Sequence, residues 1–502
     1  TNDRDLSEWG LILNSGNSPE FVTINGQGRV IDLTGSNTRE SPVITVQGGV
    51  TLTLRNITFK GLNTAREPRN LAPVIRVNGG RIILDSGAVI GDNIGGTGNG
   101  GGASVLSGKL VMNAGSKISG NGTDFDGGGV FVDRGGSFVM YEGTIEKNAA
   151  SDRGGGVFVS QGGSFLMYDG TVSDNTGDGG VFADGSFVMN NGTVSGNEAA
   201  GNGGGVSVNG GGTFTMNGGT VSDNKAAYKG GGVVVNNGCQ FVLNGGTVSD
   251  NKAANGGGGV WVSGGQLIMV AGAISGKAAN GGEGGGGVRL DGGTFMLYSG
   301  KVSENTAGNG NGGGVSVGEN GTFNMDFGQI AGNKVQNAYG NGGGVYVGGK
   351  GTFNMNGGSI ISNGINPAPR NEYPYVPHSQ GFGAGVYVDG DGRFVKTAGA
   401  INGLFNSDFS GWEEANYQNY YGWQVSDDGT VPYYVPFNNN PDATGVPGAN
   451  NQGAPGTGKG YAVYYNKDGG YWRDQTVRDT MPLSTDDADP DPEAHGWNIV
   501  PQ

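Results

Sequence analysis

The chain has 502 residues, 110 of them glycine, and carries 29 basic against 44 acidic side chains for a formal net charge of -15. Glycine without a G-X-Y period excludes collagen, and the acidic balance argues against a general nucleic-acid binder or a polybasic membrane anchor. A single cysteine, Cys239, leaves no intramolecular disulfide or cysteine-based zinc site, and no run reaches the ~18 apolar residues of a membrane-spanning segment.

Residues 1–20 are expected as an N-terminal cap. The numbering opens at Thr1 without an initiator Met or a signal-peptide pattern, which reads as a processed or trimmed chain. An acidic, Gly/Asn/Thr-rich, Lys-poor and nearly Cys-free composition points to an exported bacterial protein, extracellular or at the cell surface.

Residues 21–403 repeat one line. GGGVFVDRGGSFVMYEGTIEKN starts at Gly127, GGGVFVSQGGSFLMYDGTVSDN at Gly154 and GGGVSVNGGGTFTMNGGTVSDN at Gly203. The last apolar residue of the first run marks the period: Ile24, Val46, Val77, Val105, Val132, Val159, Ala183, Val208, Val235, Val262, Leu290, Val317, Val347, Val388. From Val105 to Val317 the steps lie between 24 and 28 residues. Each repeat holds three short runs, V-x-V, F-x-M and T-[VI]-S, separated by glycines and alternating with period two, the strand signature. Glycine every few residues is incompatible with helix. Three strands in ~27 residues fit one coil of a solenoid and not a four-stranded propeller blade. The expected fold is therefore all-β, a right-handed parallel β-helix of about 14 coils.

In-register stacking puts like on like. Phe138, Phe165, Phe187, Phe214, Phe241, Phe295, Phe323 and Phe353 are expected as one interior row, with Met112, Met140, Met167, Met189, Met216, Met269, Met325 and Met355 beside it. Asparagine follows the third strand at Asn121, Asn148, Asn175, Asn197, Asn224, Asn251, Asn305, Asn333 and Asn363, and is expected to form a structural amide ladder. Lys277 interrupts that row.

The outward residues of the first run include Phe131, Phe158, Phe182, Trp261, Tyr346 and Tyr387. A soluble monomer rarely leaves such an apolar stripe wet, so it is expected to be covered by the C-terminal region, by another copy or by a ligand. The longest insertion, INPAPRNEYPYVPHSQ, is the first choice for a recognition loop, with Arg370, Tyr373, Tyr375 and His378 as its candidate contacts. Asp174, Asp223, Asp250 and Glu304 line up after the third strand and read as solvated turn acids.

An N-ending strand followed by a GG[GA]-V motif resembles the passenger repeats of chlamydial polymorphic membrane proteins. It is still more similar to Gly-rich β-helix repeat proteins of spirochaetes and other host-associated bacteria, over about residues 20 to 400. The resemblance implies a surface-exposed adhesin or structural protein. Other relatives of the fold are polysaccharide lyases and hydrolases.

Past Gly403 the composition changes to Tyr- and Trp-rich runs such as WEEANYQNYYGWQV. Residues 404–502 are expected as an irregular β-rich cap or flap. No P-loop, zinc or Ser/His/Asp pattern stands out, so no catalytic residue, metal or cofactor is assigned. The expected function is a non-catalytic structural or adhesive surface protein, self-associating or binding another surface protein. The alternative is a carbohydrate-active β-helix enzyme or glycan-binding protein. Two or more carboxylates and a basic residue converging in an outer groove would count against the non-catalytic reading.

Overall fold

The computed structural model describes residues 10–16, 20–33, 40–61, 71–94, 98–279, 284–336, 340–365, 384–389 and 392–403, and beyond these the short strands Tyr433–Tyr434 and Val463–Tyr465. The chain folds as two compact units, Thr1–Lys252 and Ala253–Gln502. Among the described residues all regular structure is strand.

In the first unit each strand pairs in parallel with its equivalent one coil later. Phe131 lies opposite Phe158 and Phe158 opposite Phe182 in the first-strand row. Ser164–Met167 pairs with Ser186–Met189 in the second row, and Thr171–Ser173 with Thr193–Ser195 in the third. A fourth, very short strand follows the asparagine, as at Ala149–Arg153, Thr176–Asp178 and Glu198–Ala199. It escapes a periodicity search because it is too short to alternate.

The first-strand row opens at Leu11–Leu13, which pairs with Ile44–Val46, inside the segment expected as a cap. Ile24 lies opposite Leu54, and Leu54 opposite Leu84 and then Met112. It therefore belongs to the second-strand row and is not the first marker of the series. The N-terminal coils lack the GGG run that frames later first strands, which removes the cue.

Side-chain alternation fills the core as expected. Phe138, Phe165, Phe187, Phe214 and Phe241 stack with ring centroids 4.6–4.8 Å apart. In the second unit Phe295, Phe323, Phe353 and Phe394 stack at 4.6–4.9 Å, so this row extends one rung past Phe353. Full burial of each such ring contributes roughly 1.5–3 kcal/mol. The centroid spacing is the strand spacing itself, so backbone register and ring stacking enforce one another.

The asparagines point inward. Asn148 Nδ2 donates to Asn175 Oδ1 at 3.0 Å and to the Ile118 carbonyl at 3.1 Å, and its backbone N–H shares the Asn175 Oδ1 at 2.9 Å. The pattern recurs through Asn175, Asn197 and Asn224 to Asn251 in the first unit, and from Asn305 through Asn333 to Asn363 in the second. Asn93 heads the first-unit series, its N–H reaching Asn121 Oδ1. The GGG run has its cause here. A Cβ at Gly205 would sit 2.8 Å from Asn224 Nδ2 and 2.7 Å from the Gly232 carbonyl oxygen. Asp174, Asp223, Asp250 and Glu304 occupy left-handed backbone with φ of 54–58°, which turns the chain so that the next asparagine faces in. They are turn residues, as expected.

The turns number about eleven, fewer than the 14 expected. At the ends, the rungs led by Leu11–Leu13, Ile44–Gln47 and Val386–Val388 carry no asparagine in the ladder position. In the second unit Val463–Tyr465 pairs in parallel with Val386–Val388 and antiparallel with Tyr433–Tyr434. The rest of the expected cap lies outside the described residues.

Candidate functional site

The outer first-strand stripe of the first unit is as apolar as the sequence implies, but the chain roofs it itself. Phe131, Phe158 and Phe182 form one buried cluster and are only 5%, 3% and 6% exposed. Their rings stack at 5.5 Å. The Arg153 guanidinium lies 4.6 Å over the Phe158 ring and 5.3 Å from that of Phe182, close enough for cation–π attraction. These three residues are thus not open to a partner, contrary to their expected role as a binding stripe. The cover is the short fourth strand, which sequence periodicity does not register.

Arg153 is held by two carboxylates. Its Nε and Nη2 bind Asp126 at 2.9 and 2.7 Å in a bidentate fork, and its Nη1 reaches Asp184 at 3.3 Å. Burial alone would lower the guanidinium pKa, but the Asp126 hydrogen bonds and the Asp126 and Asp184 charges outweigh it and raise the value. Asp184 is pushed up by burial, partly offset by Arg153. Beside this cluster opens a cleft of about 430 Å³ lined by Ser151, Asp152, Arg153, Thr176 and Asp178 among others. Asp178 is raised first by burial and further by the Asp152 charge, against a lowering hydrogen bond from the Gly201 backbone. Carboxylates and a basic residue do converge on an outer face, the arrangement that counts against a non-catalytic reading, but Arg153 is locked in ion pairs with Asp126 and Asp184.

In the second unit the stripe residues are tied to aspartates. Trp261 Nε1 donates to Asp291 Oδ2 at 2.8 Å, and Arg289 Nε to Asp291 Oδ1 at 2.6 Å. The Tyr346 hydroxyl donates to Asp389 at 2.9 Å and its ring stacks on Tyr387 at 5.7 Å. Burial and the Asp389 charge push both phenols well above their ordinary range. Arg370, Tyr373, Tyr375 and His378 lie outside the described residues.

A different edge carries the exposed aromatic surface. The two residues that follow the second strand, before the turn glycine, include Tyr141 and Tyr168 in the first unit and Val270, Tyr298 and Phe327 in the second, all exposed. Tyr141 and Tyr168 stack at 5.0 Å. On the same edge of the first unit an outer amide ladder runs from Asn244 to Asn217 to Asn190, each Nδ2 donating to the next Oδ1 at 2.8 Å. The signal was available in the two residues that follow each second-strand Met or Leu.

Residues 101–274 match the family model described as a right handed beta helix region. The fold is a right-handed parallel β-helix. No curated protein and no solved structure matches the chain. The β-helix is a scaffold used by adhesins and by carbohydrate-active enzymes, so the choice between them rests on the surfaces just described.

Proposed function

We propose that the chain is a non-catalytic structural or adhesive protein of the bacterial exterior, associating with itself or with another surface protein along the turn edge after the second strand. The observation that carries this reading is the contrast between two apolar surfaces. The Phe131–Phe158–Phe182 stripe is roofed, whereas Tyr141 and Tyr168 in one unit and Tyr298 and Phe327 in the other stand exposed on equivalent turns. Exposed aromatics recurring on one turn suit a protein interface. Face-to-face stacking of Tyr141 on Tyr168 turns ring edges outward, which suits protein packing better than sugar stacking. The repeat's resemblance to surface proteins of host-associated bacteria supports the same reading.

Light scattering on the eluting protein tests it. The chain is expected to elute as a species larger than its 50.8 kDa mass, and a Tyr141→Ser, Tyr168→Ser, Tyr298→Ser, Phe327→Ser variant to elute as a monomer. A wild-type chain that is monomeric at every concentration and gains no mass when mixed with outer-surface extracts would refute the proposal.

One observation favours a second reading, a carbohydrate-active enzyme or glycan-binding protein. Asp152 and Asp178 share a cleft, and Asp178 is biased toward its protonated form, as a general acid requires. Reducing-sugar release from a polysaccharide panel that vanishes in Asp178→Asn would establish that reading in place of the first.

A further inference from the structure

The third-strand face of the first unit belongs neither to the roofed stripe nor to the edge proposed as an interface. Thr171–Ser173, Thr193–Ser195, Thr220–Ser222 and Thr247–Ser249 stack in parallel, Thr on Thr and Ser on Ser, with no shift of register. The middle valines are fully buried, and the Thr and Ser on either side of each face outward, partly exposed. None of these hydroxyls makes a hydrogen bond among the described residues. Glu146, which faces Ser173 from the preceding coil and pairs with Lys117, closes one end of the grid.

On the other strands of the same coils the outer-face residue changes from rung to rung. On the first strand it runs Phe158, Phe182, Ser207, Val234, and on the second Leu166, Val188, Thr215, Val242. The core uses only the valine of the third strand, so nothing inside the fold holds its two outer positions constant. Strand preference accounts for threonine but not for serine. A constant outer pair that the interior does not require points to a contact outside the chain.

The dimensions of the grid select the partner. Strand spacing sets its rows about 4.8 Å apart along the stack, and Thr and Ser two residues apart lie about 6.7 Å from each other. Four coils cover roughly 200 Å², about a quarter of the ~800 Å² per partner that a stable protein interface takes. No charged side chain and no aromatic ring stands among these Thr and Ser residues, so the grid offers a ligand neither an ion pair nor a ring face for a sugar. What it offers is a flat lattice of hydroxyls and methyls. Branching at Cβ keeps each threonine stiff about χ1, and hydroxyls without a protein partner hold bridging water. The oxygens on the prism faces of ice repeat at intervals close to both spacings of the grid.

We propose that this Thr/Ser grid binds the surface of ice, through waters that it holds in register with the crystal. The strand ladder fixes one spacing and the strand pleat the other, so the array needs no rearrangement on contact.

Partition of the full chain into slowly growing ice tests this, with crystal faceting followed in a nanolitre osmometer and circular dichroism as the check on folding. Wild type is expected to enter the ice well above the level of a globular control protein and to facet the crystals. Thr193→Lys with Thr220→Lys, at the centre of the grid, is expected to fall to the control level. Thr193→Ser with Thr220→Ser, which keeps the hydroxyls and loses the methyls, is expected to lose part of the partition while folding as wild type does. Tyr141→Ser with Tyr168→Ser, on the edge proposed as an interface, is expected to partition as wild type, which separates the grid from that edge. The proposal is overturned by wild-type partition at the control level, or by a folded Lys variant or a Ser variant that partitions like wild type. Loss of partition in the Tyr variant also overturns it. So does a chain that facets no ice but sediments with crystalline cellulose or chitin through the same hydroxyls.

Discussion

Replacing Asn224 with Ala tests the ladder directly. Asn224 Oδ1 accepts from Asn197 N–H at 3.0 Å and from Asn197 Nδ2 at 2.9 Å, while its own Nδ2 donates to Asn251 Oδ1 and to the Val194 carbonyl, each at 2.9 Å. The substitution strips two buried donors of their acceptor and one carbonyl of its donor. Asn251 Oδ1 keeps the Asn224 backbone N–H at 3.0 Å. Each orphaned buried group costs about 1–3 kcal/mol. A water entering the vacated amide space recovers part of this, which leaves a loss of roughly 2–4 kcal/mol. A solenoid does not unfold as one two-state body, so the measurement is native-state hydrogen exchange at the amides of Asn197 and Asn224, with urea unfolding alongside. Opening at that rung is expected to become at least ~30-fold more frequent. A change of twofold or less would mean that the strand ladders alone hold the coils, and the reasoning given for inward asparagine would fail.

Gly219→Ala should destabilise strongly, because φ is +82° and a Cβ would meet the Gly192 carbonyl oxygen at 2.5 Å. Gly211→Ala, at φ +84° with nothing within 4 Å, should show only the backbone strain of about 1 kcal/mol, and denaturant midpoints separate the two. Arg153→Met keeps an apolar stem over Phe158 but leaves Asp126 and Asp184 unpaired. A carboxylate with a raised folded pKa loses stability as pH rises from its ordinary 3.8 through the folded value. The deficit of Arg153→Met against wild type should therefore be small near pH 3 and grow toward neutrality in melting curves; a pH-independent deficit would contradict the clamp.

The interior was legible because stacking copies one position onto the next. Phe214 and Asn224 announce themselves by what stands ~27 residues before and after them. The roof over Phe158 was not legible, because Arg153 belongs to a short fourth strand whose partner residue on the next coil, Asp178, shares no residue type with it. Ile24 was misplaced because no glycine run brackets Leu11–Leu13. The Tyr141 edge recurs on every turn, but at positions where tyrosine, asparagine, valine and aspartate replace one another, so residue identity hid the register.

The inward amide chain of the first unit also has a direction. From Asn121 to Asn224 each Nδ2 points to the Oδ1 of the following coil, not the preceding one. Each coil therefore arrives with one acceptor facing back and one donor facing forward, like a link with a hook and an eye. Removing a whole coil, for instance the 27 residues from one asparagine to the next between Asn197 and Asn224, rejoins hook to eye and orphans nothing. Removing part of a coil, or changing the asparagine alone, cannot. Length in such a chain can change by whole coils at little cost in hydrogen bonding, while its sequence at one position in ~27 is held fixed.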